Sequence, residues 1–161
     1  MMIREILYRD WDAIMRIQEE SYFAIEPESL SVLKSKWAFS KDTCFVFEDA
    51  AVILGYCLAH PWEDNNAPPL YSESLSGSHF TGIFIHDLSV TPRARNRGIG
   101  LMAFHYLKEY AIKNKFHFLS LVAIQGAENF WHKLGFQPAN IDKSLVSYGE
   151  TSVYMKLVLP A

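Results

Sequence analysis

The stretch RARNRGIG, residues 93–100, packs three arginines and two glycines between IFIHDLSV (83–90) and LMAFHYLKEYAI (101–112). The first flank has the apolar, β-branched character of a strand, and Pro92 stops it because proline cannot extend a central ladder. The second flank has a helical period: Ile99, Met102, Ala103, Tyr106 and Tyr110 share one face of a helix running from Gly98 to about Asn114. The arginines and glycines therefore sit where a strand feeds a helix. The first turn of a helix presents unpaired N–H groups and the positive end of its dipole, which together favour an anion. Gly98 and Gly100 let a large anion approach the backbone, and Arg95 and Arg97 add forked donors suited to phosphate oxygens. The same residues also fit a solvated basic turn whose glycines serve tight packing.

The basic cluster is local. The 161-residue chain carries a formal net charge of −3, which argues against nucleic acid as the main partner. Half of the residues are apolar, enough for one domain over 1–161 with a substantial core. The two cysteines, Cys44 and Cys57, fall in expected strands without the neighbouring ligands of a metal site, so no metal is expected. Charges interrupt MMIREILYRD where a signal peptide would be apolar, and no run is long enough to span a membrane. A reduced cytoplasmic setting and no membrane partner are the expectation.

Outward from the cluster, IREILYR reads as a first strand, and Asp10 as the cap of a helix from Trp11 to Tyr22 with Ile14, Ile17 and Tyr22 buried. Pro27 opens a second helix, ESLSVLKSKWAF. TCFVFED and AVILGYCLAH form a hairpin about an Asp-Ala turn, and PWEDNNAPPLYSESLSGS is a long surface loop. After the cluster, FHFLSLVAI is nearly all apolar, as in a strand covered on both faces and paired in parallel. Ala127, Phe130, Trp131 and Leu134 mark a short helix stopped by Gly135, and SYGETSVYMKLVL is a final alternating strand. The fold class is α/β, a central mixed sheet flanked by helices.

RNRGIG at 95–100 has neither the spacing of a P-loop nor the third glycine of a dinucleotide fingerprint. It resembles instead the acetyl-CoA motif R-x-x-G-x-G of the GNAT superfamily of N-acetyltransferases. HDLSVTP before it resembles that family's splayed fourth strand, and AENFWHKLGF about thirty residues later resembles its second anchor. The order of elements is similar from the first strand to the last, so the resemblance implies a GNAT-like acyl-CoA N-acyltransferase fold.

It further implies that the backbone of Leu88 and Val90 holds the pantetheine arm of acetyl-CoA, the co-substrate. Arg95, Asn96, Arg97, Gly98, Ile99 and Gly100 then wrap the pyrophosphate, and Asn129 touches the same arm or is simply an exposed helix residue. A backbone N–H, that of Val90, would meet the developing oxyanion. Trp131 stands where the family carries a tyrosine that protonates the leaving thiolate. An indole cannot do this near neutral pH, and core packing accounts for Trp131 equally. A simple thiol titrates near 8.5, so the thiolate leaves fairly well unaided. Tyr148 and Tyr154 on the last strand are the substitute acids.

A lysine-like amine must also lose a proton, at about 4.6 kcal/mol at pH 7. Where the family often has a glutamate on the fourth strand, this chain has Phe84. His86, two residues on and on the same face, is the candidate base or substrate contact, or else a packed sheet histidine. Asp87 points the other way if the strand is regular, and a bulge would reverse that.

On the acceptor side, Glu19, Glu20, Glu26 and Glu28 in one segment and Glu63, Asp64 and Glu73 in another would draw a cationic amine, unless they are merely solvated. Tyr22, Phe23, Trp62 and Tyr71 would bound the pocket, and Phe84, Phe130 and Trp131 would restrict the acyl group to acetyl. Many relatives form dimers, so a homodimer is among the expectations. The second reading is an acyl-CoA-binding sensor that kept the cradle and lost the chemistry, with Trp131 as its support.

Overall fold

The computed structural model describes residues 1–73, 79–141 and 145–161. Seven strands form one mixed sheet: β1 (Met2–Glu5), β2 (Cys44–Asp49), β3 (Val52–Trp62), β4 (Gly82–Val90), β5 (Phe118–Ala123), β6 (Gln137–Pro138) and β7 (Val153–Val158). Their order across the sheet is β1-β2-β3-β4-β5-β7-β6. Only β4 and β5 are parallel; the other neighbours run antiparallel. The helices are α1 (Trp11–Ser21), α2 (Leu30–Phe39), α3 (Ile99–Lys113) and α4 (Glu128–Lys133). The expected mixed sheet with flanking helices is therefore present.

Two cores lie on opposite faces. Phe45, Phe47, Ala59, Ile83, Ile85 and Leu121 pack with Ile99, Ala103, Phe104 and Leu107 of α3 and with Trp131 of α4. Ile14, Ile17, Leu33 and Trp37 of α1 and α2 pack on Val46, Tyr56 and Leu58. Each fully buried aliphatic side chain contributes roughly 1.5–3 kcal/mol. A third cluster, with Trp62, Leu70, Phe84 and Tyr148, lies under the β3–β4 loop.

Several boundaries differ from the sequence reading. β1 stops at Glu5, and Tyr8–Asp10 forms a 3-10 turn. Asp10 does not cap α1 through its side chain. Its carboxylate accepts from Leu7 N at 2.7 Å and from both terminal nitrogens of Arg4 at 2.8 and 2.9 Å, stitching β1 to the helix start. α2 starts after Ser29, whose hydroxyl accepts from Val32 N, so Glu28 is a loop residue. The hairpin turn is Ala50–Ala51, both with positive φ, rather than Asp-Ala. The buried stripe of α3 is Ile99, Ala103, Phe104, Leu107 and Ala111, because Tyr106 turns outward to lie on Phe45. The last strand begins only at Val153, and Tyr148 lies in a preceding 3-10 turn. The long loop after β3 is described except for residues 74–78.

Candidate active site where two parallel strands part

β4 pairs with β5 only from Gly82 to Ile85, opposite Phe118 to Leu121. Beyond that point β5 continues with β7, while β4 stays with β3. The strands part, and a cleft of about 260 Å³ opens between them, lined by residues 85–90 of β4, by Leu121–Ala123 of β5 and by Trp131. Main-chain groups that a continuous sheet would pair are thereby available to a ligand.

The turn before α3 reaches the cleft through Arg95; Asn96, Arg97, Gly98, Ile99 and Gly100 do not line it. Gly98 has φ +79°, a left-handed conformation that side chains rarely adopt, and a Cβ there would enter open space. Asn96, at φ +67°, is also left-handed, which asparagine tolerates. Arg95 lines the cleft and is exposed. Arg97 reaches Asp49 of the β2–β3 hairpin at 2.9 Å. Gly100 is small for a different reason: its Cβ would stand 2.9 Å from Cζ of Phe130, whose ring covers the first turn of α3. The cradle is thus open at Gly98 and covered by an aromatic ring at Gly100. Leu88, Val90, Arg95 and Trp131 border one space; Asn129 is exposed on α4 and does not line it. Neither do Phe84 or Phe130.

Beside the cleft, β4 carries a bulge. Leu58 pairs with Asp87 and Ala59 with Ile85, leaving His86 as the extra residue. The bulge turns Asp87 onto the same face as His86, the face covered by α1 and α2. Asp87 accepts from the hydroxyls of Tyr22, of Tyr56 at 2.7 Å and of Ser89 at 3.0 Å. Burial pushes the Asp87 carboxyl up, against the hydroxyls that hold it down. Asp87→Ala leaves two tyrosine hydroxyls buried without their acceptor, and a loss of about 3 kcal/mol in chemical denaturation is expected.

His86 presents only its main chain to the cleft, since its side chain is wholly buried. Its Nε2 donates to Glu28 Oε1 at 2.7 Å. Glu28 lies in the wall of the cleft, and its other oxygen accepts from Tyr71 N at 2.9 Å. Gln18 fixes the Glu28 backbone from α1, through its amide at 3.0 Å and its carbonyl at 2.8 Å. Burial raises the Glu28 carboxyl, but the charge and hydrogen bond of His86, the Tyr71 N–H and the charge of Lys36 together hold it below its usual range. Lys36 is itself buried, donates to Ser72 O at 2.6 Å, and is lowered by that burial. The result is a buried acid–base pair under the cleft wall, with a carboxylate kept ionised into acid.

Of the other acceptor-side residues, Tyr22 and Glu26 line the cleft, while Glu19, Glu20, Phe23, Glu63, Asp64, Tyr71 and Glu73 do not. Trp62 is buried in the third core. Tyr148 is in the wall, but its hydroxyl donates to Pro68 O, and burial pushes its pKa far up. Tyr154 is buried on β7. The Glu28–His86 pair, the Asp87 cluster and the buried Lys36 are not found by sequence reasoning, because they join positions that no local pattern relates. Among the described residues, no cluster suited to a metal occurs and no helix is long and apolar enough to cross a membrane.

Residues 11–136 match the family model described as acetyltransferase (GNAT) family. Similar solved structures include Ard1 from Thermoplasma volcanium, at 16% identity and TM-score 0.77 over 99% of this chain and 98% of that one. The ribosomal-protein-S18-alanine N-acetyltransferase from Escherichia coli matches at 15% identity and TM-score 0.72 over 99% and 94%. GphF, a GNAT-like decarboxylase in complex with isobutyryl-CoA, matches at 15% identity and TM-score 0.80 over 99% and 100%. None of the curated proteins matches the chain. At such identities the structures show a shared fold, and the family match covers well over half of the sequence: the chain belongs to the GNAT acetyltransferase family.

Proposed function

We propose that the chain, acting as one domain, is an acetyl-CoA-dependent N-acetyltransferase that modifies a primary amine by direct attack on the thioester. The observation that carries this reading is a single cleft that brings together Leu88 and Val90 of the parted strand β4, Arg95 of the turn before α3 and Glu28, which is paired with the buried His86. The open space at Gly98 and the exposed guanidinium of Arg95 fit a pyrophosphate. In this reading Arg95, Asn96, Arg97, Gly98, Ile99 and Gly100 hold the diphosphate, with Asn129 at its margin. The unpaired edge of β4 at Leu88 and Val90 takes the pantetheine arm as an added strand would, and the Val90 N–H meets the oxygen that gains charge. The bound thioester supplies the acyl group.

Glu28 draws the ammonium form of the acceptor, and the Glu28–His86 pair takes up the amine's proton along ordered water, through the Glu28 carboxylate that reaches the cleft. Glu26 adds a second negative charge on that side, which favours a cationic amine. The N-acetyltransferases among the fold neighbours support an amine acceptor. A cytoplasmic location accords with two free, buried cysteines.

Tyr148 would act as an acid only by giving up its bond to Pro68, and its raised pKa opposes that. The thiolate leaves without it, so Tyr148→Phe is expected to lower kcat/KM by less than about tenfold, well short of the effect of a lost general acid. The deciding experiment mixes protein, acetyl-CoA and a panel of small amines, peptide N-termini and lysine peptides, and follows thiol release. Thiol release with an acetylated amine supports the reading. The sensor reading, favoured by Trp131 at the cleft, predicts tight binding of acetyl-CoA without thiol release. A decarboxylase would likewise leave the thioester intact.

A further inference from the structure

A single side chain ties the two banks of the cleft together. The end of α1 and the loop after it supply one bank, with Tyr22, Ile25, Glu26 and Glu28; residues 121–125, from β5 and the loop after it, supply the other. Gln125 crosses between them. Its Oε1 accepts from Phe23 N at 3.0 Å and from Ala24 N at 2.9 Å, and its Nε2 donates to Ser21 O at 3.1 Å. The partners settle which end of the amide is which, because a reversed amide would face like groups at all three positions.

These three main-chain groups lie where α1 stops. Ser21 is the last residue of the helix, and the final carbonyls of a helix have no partner within it. Phe23 is 85% exposed and Ala24 is exposed as well, so their N–H groups would otherwise turn to water. Gln125 itself has φ +53°, a left-handed conformation that side chains rarely adopt, and Gly126 follows at φ +81°. Such a residue persists where its surroundings fix it.

The tie falls where the sheet ceases to hold β5 to β4, beyond Ile85 and Leu121. The α1–α2 loop has further anchors: the Tyr22 hydroxyl on Asp87, the Tyr71 hydroxyl on Glu26 O at 2.9 Å, and Gln18 on the Glu28 main chain. Those fasten it to β4, to the β3–β4 loop and to α1 itself. Gln125 fastens it to the β5 side and so sets the gap between the banks.

We propose that Gln125 is a positioning residue for the acceptor: its amide holds the end of α1 and the start of the following loop against the end of β5, which keeps Tyr22, Ile25 and Glu26 in place as the acceptor's wall. Without the tie the wall samples other arrangements, and the apparent affinity for the acceptor falls by the fraction of time the fitting one is present. Glu28 keeps its own holders, Gln18, Tyr71 and His86, so the chemical step is little affected. The inference rests on the N-acetyltransferase reading for what the wall receives; the tie itself is tested without turnover.

The test is amide hydrogen exchange of the full chain by NMR, followed by kinetics. In the wild type the Phe23 and Ala24 amides should exchange at least about tenfold more slowly than unbonded, exposed amides. Gln125→Met keeps the length of the side chain and removes all three hydrogen bonds. It should abolish that protection while the Glu28 amide, held by Gln18, stays protected. With whichever amine releases thiol, Gln125→Met should raise KM for the amine about tenfold and lower kcat by less than about threefold, with CoA affinity unchanged in calorimetry. Unprotected Phe23 and Ala24 amides in the wild type overturn the proposal, and they decide it should Gln125→Met not fold. So does a raised KM with both amides still protected in the variant, which would make Gln125 a direct contact of the amine. Lost protection with an unchanged KM overturns the positioning role and leaves the N-acetyltransferase reading intact. If the exchange results hold and no amine releases thiol, the tie stands and the N-acetyltransferase reading falls.

Discussion

Glu28→Gln is expected to lower kcat/KM for acetyl transfer by about 10²- to 10⁴-fold, the range general-base catalysis supplies, with the affinity for acetyl-CoA unchanged. Glutamine retains the shape of glutamate and still accepts the Tyr71 N–H through its carbonyl. It removes the charge that faces His86 and Lys36 and the charge that attracts the ammonium form of the acceptor. His86→Gln should fall in the same range, and the double substitution should lose little more, because the two residues act as a unit. Steady-state kinetics with the acceptor found in the amine screen, alongside calorimetry with CoA, separates chemistry from binding. A loss below about threefold would remove the pair from the mechanism.

The direction with pH follows from the same pair. Glu28 is held below the usual carboxylate range, so its contribution is present above the unfolded carboxylate pKa and disappears as pH falls through its own lower value. Glu28 therefore stays ionised across the working range and contributes no acid limb there.

Gly98→Val is expected to weaken CoA binding by about 10- to 100-fold. A β-branched residue held at positive φ carries strain of about 1–3 kcal/mol, and its side chain would occupy the open side of the turn. Gly100→Ala is the contrast. Its new Cβ meets the tip of the partly exposed Phe130 ring, which can swing aside, so a change below about threefold is expected. Calorimetry on both variants distinguishes a phosphate cradle at Gly98 from glycines that serve packing alone. Unchanged affinity in Gly98→Val would refute the cradle.

The sequence by itself determined the features that depend on neighbours along the chain. The strand–turn–helix unit at 83–113, the apolar fifth strand and the helix ending at Gly135 follow from periodicity, from proline and glycine chemistry, and from the free amides of a helix start. The grouping of Leu88, Val90, Arg95 and Gly98 into one site came from the resemblance to the GNAT motif, and Leu88, Val90 and Arg95 line the cleft. Some local readings failed because a distant partner outweighed a local preference. Asp10 turns to Arg4 instead of capping α1, and the stripe of α3 rotates because β4 and β5 cover Phe104 and Leu107.

Only the tertiary structure decided the acid–base end. Glu28 meets His86 across 58 positions and Tyr148 meets Pro68 across 80. The orientation of Asp87 depends on one inserted residue that no local pattern marks. A strand's alternation says which side chains share a face only while its register holds, and a bulge breaks that rule at a single residue. The helix-start anion site is a property of a few consecutive peptide units, whereas the buried pair exists only because separate segments were brought together and shut away from water.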